Sequence, residues 1–205
     1  MKKIVIICKG GFGKEVLAYV HDAFPRGSDY RFDRIQDLLP EEEFHPQPDE
    51  VFIVANGEPS VRAKLTRRIE KAGGTLLTLI HPTCWVAKTA TIGNGAILCP
   101  YSSVGPDAVL APHVMLNVYA SCGHDSRIGS FATFCPYSAA GGAANIGERV
   151  FLGSHAFVAP MLTVGNDSKI SAGAIVLSNV PANSLALGNP AQSRVLFPRP
   201  TSLPD

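Results

Sequence analysis

The sequence is poor in charge. Only 17% of its 205 residues are Asp, Glu, Lys or Arg, and 18 basic against 17 acidic side chains leave a formal net charge of +1. A chain so nearly balanced is not drawn to nucleic acid or to an anionic membrane by its overall field. Long hydrophobic runs are missing as well, and none approaches the ~18 apolar residues of a membrane span. The start is basic and then apolar, but the run Ile4–Cys8 is too short for a secretory signal and no A-x-A site follows it. Cysteine is sparse and odd in number: Cys8, Cys84, Cys99, Cys122 and Cys135, with no CxxC pair. These absences predict a soluble, cytoplasmic protein with reduced, mostly packed thiols. Apolar residues make up 46% of the chain, enough for a real core.

The chain changes character near Ile80. Before it, apolar β-rich runs alternate with helical spacing. Lys3–Cys8 reads as a strand. Glu15–Ala23 reads as a helix with Val16, Leu17, Val20 and Ala23 on one side. Tyr30–Ile35 is a weaker strand, 38–50 an acidic loop and Val51–Ala55 a third strand. Val61–Lys71 is a second helix with Val61, Leu65 and Ile69 as its stripe, and Thr75–Ile80 a fourth strand. Such alternation predicts a small parallel α/β domain over residues 1–80.

After His81-Pro82 a period of six takes over. From Val86 to Val176, every sixth residue is apolar or small, sixteen positions without an insertion. With about half of all residues apolar, chance gives such a run with a probability on the order of one in 10⁴ to 10⁵. The next place is often glycine (Gly93, Gly105, Gly123, Gly129, Gly141, Gly147, Gly153, Gly165), and the place four after the anchor is mostly Ala or Ser. One hexad is one short strand plus a corner, and three hexads close a triangular coil. The anchors should point into a narrow core, and the glycines should relieve the corner conformation. This predicts a parallel β-helix over residues 81–182, with 183–205 as a C-terminal tail. Several enzymes built on such repeats expel a long loop that forms the active site; with no insertion here, the helix surface and the α/β domain must supply it.

Four stretches carry a resemblance across nearly the whole chain: IVIICKGGFGKEV, LIHPTCWVAKTATIG, LNVYASCGHDSRIG and LALGNPA. Together they resemble the hexapeptide-repeat family of sialic acid O-acetyltransferases and UDP-4-amino-sugar N-acetyltransferases of bacillosamine-type pathways. The resemblance implies a left-handed β-helix, a small Rossmann-like domain that binds a sugar nucleotide, a homotrimer with active sites between subunits, and acetyl-CoA in the groove between neighbouring helices. It implies Gly10, Gly11, Phe12, Asp37 and Gly57 at the sugar nucleotide, and Ser154, Ala172 and Gly173 along the pantetheine. Three positions depart from the family pattern. Cys8-Lys9 replaces Gly-Ala, Phe12 replaces a histidine, and Thr133 replaces a histidine nine residues after His124, where its hydroxyl is expected to bond a carbonyl of the cofactor.

His124-Asp125 is the centre of the expected chemistry. Acetyl transfer needs a base that takes a proton as an amine or hydroxyl attacks the thioester, and an imidazole beside a carboxylate suits that task. A solvated corner pair is the plainer alternative. Asn117, one hexad and one place earlier, matches the family asparagine near the acceptor or the base; a local turn bond would explain it equally well. Position 142 lies one coil above His124, and Gly142 would let the thioester approach a backbone N–H that acts as an oxyanion donor. The phosphate-binding glycine turn favours amino-group transfer on a nucleotide-linked sugar; O-acetylation of sialic acid or a related sugar, and a non-catalytic sugar-nucleotide-binding β-helix, are the alternatives. A three-histidine zinc site is disfavoured, because His113, His124 and His155 do not fall on one face. No metal, nucleic acid or membrane partner is expected.

Overall fold

The computed structural model describes residues 1–25, 27–38 and 43–196. Its first part is a four-stranded parallel sheet in the order β2-β1-β3-β4, with β1 Lys2–Ile7, β2 Tyr30–Gln36, β3 Glu50–Val54 and β4 Thr75–Leu76. Helix α1 (Gly11–Ala23) connects β1 to β2, and α2 (Pro59–Lys71) connects β3 to β4. β1 and β3 are buried on both faces, which explains their continuous apolar runs. Ile4 and Ile6 pack with Val16 and Val20 of α1, whereas Val5 and Ile7 pack with Ile69 of α2.

Two details differ from the sequence reading. Helix α1 starts four residues early, with Gly10 as an extended N-cap. It can do so because Gly13 has no Cβ: one placed there would collide with the Cys8 carbonyl oxygen. The expected stripe of α2 is also displaced. Val61 is 39% exposed, and the buried positions are Pro59, Arg62, Ala63, Thr66 and Ile69. An arginine at the centre of the packed face escaped the pattern because hydrophobic spacing cannot register a buried cation.

The expected fourth strand, Thr75–Ile80, divides in two. Leu77 N–H still donates to Phe52 of β3, but Leu79 N–H donates to Ala96 of the first coil. From Leu79 onward the chain winds as a three-sided parallel β-helix whose ladders join residues eighteen apart, such as Cys122 with Val104 and Ala140. The first face runs from Leu79–Ile80 to Lys169–Ile170, the second from Trp85–Val86 to Ile175–Val176, and the third from Thr91–Ile92 to Thr163–Val164. The inward anchors from Leu98 to Val176 form one continuous buried column. Inward serines cap carbonyls of their own corners, as in Ser126 to Gly123 and Ser138 to Cys135.

The glycines serve a different purpose from the one expected. The left-handed residue of each corner is two places later and is rarely glycine: Tyr119, Asp125, Phe131, Tyr137 and His155 all have φ near +60°. The glycine column is required because coils stack closely. A Cβ on Gly123 would lie 2.5 Å from Gly142 N, and one on Gly129 2.5 Å from Glu148 N. The region expected as a tail also carries structure. Ser184–Leu187 extends the first face by pairing with Lys169–Ile170, and Gln192–Val195 returns antiparallel to it. The rest of that region, 197–205, lies outside the described residues.

The α/β part is seated on the first face, covering Leu79, Ile97, Met115 and Thr133. Arg62 is the main bolt. It is 2% exposed, and its guanidinium donates to the carbonyls of Asn56 (2.8 Å), His113 (3.3 Å), Phe131 (2.7 Å) and Ala132 (3.2 Å). Burial pulls its pKa down to about 9, which leaves it charged at neutral pH.

Candidate functional site

His124 and Gly142 share the corner between the second and third faces. His124 Nδ1 lies 2.7 Å from Asp125 Oδ2, and both side chains are open to solvent, 67% and 61% exposed. A carboxylate can only accept, so Nδ1 carries the hydrogen and Nε2 presents its lone pair. The imidazole leans over Gly142: a Cβ there would lie 2.6 Å from Cε1 and 3.0 Å from Cδ2, and closer still to Nε2. No described residue accepts from Gly142 N–H, while its carbonyl accepts from Met161 N–H. The dyad is therefore oriented, uncovered and next to an open amide.

Asn117 stands on a different corner, between the first and second faces. Its side chain accepts from Val118 N–H at 2.7 Å, the local bond that sequence reading held as the alternative. Directly above it in the stack come Cys135, Gly153 and Ser171. These residues, with Ser154, Ala172, Phe151 and Lys169, line a groove of about 380 Å³. Ser154 and Ala172 thus share one groove. Gly173 adjoins it in the left-handed conformation (φ +69°), with open space where a Cβ would be. The same corner carries an exposed ladder of stacked rings, Tyr101, Tyr119, Tyr137 and His155, with centroids 5.0, 4.9 and 4.8 Å apart. The hexad pattern did not single it out, although those residues recur every eighteen places.

Thr133 is not available to a cofactor. It is fully buried beneath the α/β part, and its hydroxyl donates to Gly57 O at 2.9 Å. The reason is positional: Thr133 points out from the first face, beside Met115 on the same ladder, where Gly57 covers it. The residue expected at the cofactor instead ties down the turn expected at the sugar nucleotide.

The α/β candidates gather at the C-terminal ends of the strands. Gly10 and Gly11 form the exposed turn at the start of α1, with open space at both Cβ positions. Lys9 N–H donates to Asp37 Oδ1 at 2.8 Å, joining the turns after β1 and β2. Phe12 packs partly buried against the cluster under α1 and does not face the neighbouring cavity. That cavity, of about 540 Å³, is lined by Cys8, Asp37, Leu38, Asn56, Val61, Lys64, Leu65 and Arg68. Burial raises the Cys8 thiol, so it is protonated. His113, His124 and His155 occupy three different corners, and among the described residues no three His, Cys, Asp or Glu side chains converge as metal ligands.

No protein-family model matches the chain. Individual proteins do. GDP-perosamine N-acetyltransferase of Escherichia coli O157:H7 is 27% identical over 214 residues, covering 95% of this chain and 96% of that protein. The crystal structure of PerB from Caulobacter crescentus, in complex with CoA and GDP-perosamine, is 28% identical with a TM-score of 0.83 over 95% of this chain and 98% of the other. Over nearly its whole length this chain is similar to sugar N-acetyltransferases. The acetyltransferase domain of PglB from Neisseria gonorrhoeae FA1090 superposes with a TM-score of 0.82 at 25% identity over 94% of this chain and 99% of that one.

Proposed function

We propose that this chain transfers acetyl from acetyl-CoA to the amino group of a nucleotide-linked sugar, in surface-glycan biosynthesis. The observation that carries the reading is the oriented dyad: Nδ1 of His124 held by Asp125, with Nε2 open above Gly142. In this reading the acceptor nitrogen attacks the thioester carbonyl and loses its proton to Nε2. Asp125 stabilises the imidazolium, which then returns the proton to the departing CoA thiolate. Gly142 N–H faces the oxygen on which charge develops. The names of the E. coli protein and of the Caulobacter complex support both substrates.

The geometry also favours a shared site. The corner bearing His124 is opposite the first face, where the α/β part sits, whereas Asn117 and the Ser154–Ala172 groove flank that face. Within one chain these groups stand on separate corners. The second face lies between those two corners, and its outward residues, Trp85, Ser103, Ser121, Ala139, Phe157 and Ile175, include no charge. Three copies turning this face toward a common axis would bring His124 and Gly142 of one copy against the groove and Asn117 of the next. We therefore read the protein as a homotrimer, with the pantetheine lying against Ser154, Ala172 and Gly173.

The α/β part, in this reading, is a small Rossmann-like domain over 1–80, followed by a left-handed helix over 81–182. Its strand order reverses direction between β1 and β3, and ligands of such sheets bind at that reversal, where Gly10, Gly11 and Gly57 are found. Five free thiols suit a reducing, cytoplasmic setting. A thiol-release assay with acetyl-CoA and a panel of nucleotide-linked amino sugars plus free sialic acid tests the function. Turnover on a nucleotide-linked amino sugar, lowered ~10²–10⁴ in His124→Ala with the fold intact, is the expected result. Turnover on sialic acid alone, or an unchanged His124→Ala, would sink the reading.

A further inference from the structure

The ring ladder on the corner between the first and second faces lies outside the buried core. Tyr101, Tyr119 and Tyr137 are each about half exposed. Neighbouring rings are nonetheless close to parallel, 13°, 7° and 4° apart from Tyr101 up to His155. Tyr119 and Tyr137 are covered on both ring faces, and their backbone N–H groups are tied to Pro100 O and Val118 O of the coil below. Rings packed in this way cannot swing, so each phenol O–H is held at a fixed place on the corner. Among the described residues none of these three hydroxyls has a hydrogen-bond partner. Ordering an exposed aromatic side chain costs conformational entropy. A rigid row of open donors suits a site that must stabilise charge without reorganising.

The row runs alongside the groove. Cys135 and Ser154 line the groove, and Tyr137 and His155 follow them on the same corner. Eighteen residues make one coil, and each coil rises by about 4.8 Å, the spacing of paired strands. Tyr137 comes five residues before Gly142, so it stands only about 1.3 Å lower along the helix axis. Tyr119 has the same relation to His124. Within one chain the second face separates the two corners. In the homotrimer read above, with parallel copies around a common axis, the ladder of one copy meets the His124 corner of the next at equal height. Tyr137 then faces Gly142 of the next copy across the space that holds the thioester. We propose that the Tyr137 hydroxyl is a second oxyanion donor, supplied by one copy to the thioester bound at Gly142 of the next. As the amine adds and charge gathers on the thioester oxygen, the phenol O–H and the Gly142 N–H donate to it from two sides. Both bonds weaken again as the C–S bond breaks and the carbonyl re-forms, and no proton leaves the phenol. Tyr119 and His155 are positioning residues that hold the ring from below and above. The proposal rests on the reading of the protein as a homotrimeric acetyltransferase and adds a residue to its site.

Tyr137→Phe keeps the ring and its stacking and removes only the hydroxyl. Steady-state kinetics of the full chain, with acetyl-CoA and the nucleotide-linked amino sugar that it turns over, should show kcat lower by about 10²-fold and both KM values within about twofold. Tyr101→Phe, two rungs away, should stay within about twofold of the wild type. Tyr119→Ala uncovers one face of Tyr137 and should lower kcat with KM unchanged, an effect that should vanish when Tyr137 is already Phe. Mixed trimers locate the donor. His124→Ala and Tyr137→Phe copies, co-expressed in equal amounts, should recover about a quarter of wild-type turnover, because about one site in four then pairs an intact His124 with an intact Tyr137 of the next copy. Wild-type kcat in Tyr137→Phe would overturn the proposal, while a loss in His124→Ala would leave the acetyltransferase reading standing. Mixed trimers that recover nothing would overturn the supply of the donor by a neighbouring copy. A wild-type chain that turns over no nucleotide-linked amino sugar would remove both readings.

Discussion

Gly142→Ala separates two roles that one glycine could play. A Cβ at this position would lie 2.6 Å from His124 Cε1 and nearer to Nε2, where carbon contacts normally begin near 3.5 Å. The overlap is about 1 Å, so the imidazole must swing away and its 2.7 Å bond to Asp125 is lost. The swing costs the fold little, because the ring is 67% exposed. Removing a glycine from the unfolded chain can return about 0.4–1 kcal/mol at a backbone that tolerates alanine, so the melting temperature should hold or rise. Activity should not. A misplacement of ~1 Å in a catalytic group costs about 10²-fold, and kcat should fall by about that factor. The decisive assay is the double variant. If Gly142 acts by making room for His124, adding Gly142→Ala to His124→Ala should cost nothing more. A further tenfold loss in the double variant would show that the glycine serves the thioester oxygen directly, and near-wild-type turnover in the single variant would refute the steric argument.

Other expectations concern the seam between the two parts. Arg62→Met removes donors from buried carbonyls of Asn56, His113, Phe131 and Ala132, and should cost about 3–5 kcal/mol in urea unfolding; a loss under ~1 kcal/mol would show that the guanidinium is not the bolt described. Thr133→Val keeps the shape but drops the bond to Gly57 O, and should cost about 1 kcal/mol while raising KM for the nucleotide sugar with kcat unchanged. A fall in kcat alone would instead place Thr133 at the reacting atoms. His113 is buried against Phe131, and desolvation lowers its pKa, outweighing the partial support of Glu70. The unfolded chain then binds the proton more readily, so stability should be full above the ordinary imidazole value of about 6.5 and decline as pH falls through it toward the lowered folded value. Tm measured from pH 8 to 5 should show this slope, and His113→Gln should flatten it.

A period of six repeated sixteen times leaves one way to bury every anchor, so the repeat alone specified the β-helix. It also determined the His124–Asp125 pair and its relation to Gly142, since eighteen residues separate one coil from the next. The strand–helix alternation before Ile80 was legible for the same reason, as backbone periodicity declares itself locally. What the sequence could not express was contact between parts far apart in the chain. Arg62 fell outside the apolar stripe of its helix, and its partners on the β-helix lie 51 to 70 positions away. Thr133 was placed at the cofactor by resemblance alone, yet the α/β part lies on top of it. The glycine column was correctly located but wrongly explained, because the constraint comes from the next coil rather than from the turn itself. Whether Asn117 and His124 share a corner was likewise decided only by the closing of the coil: one chain presents them on separate edges of a triangle.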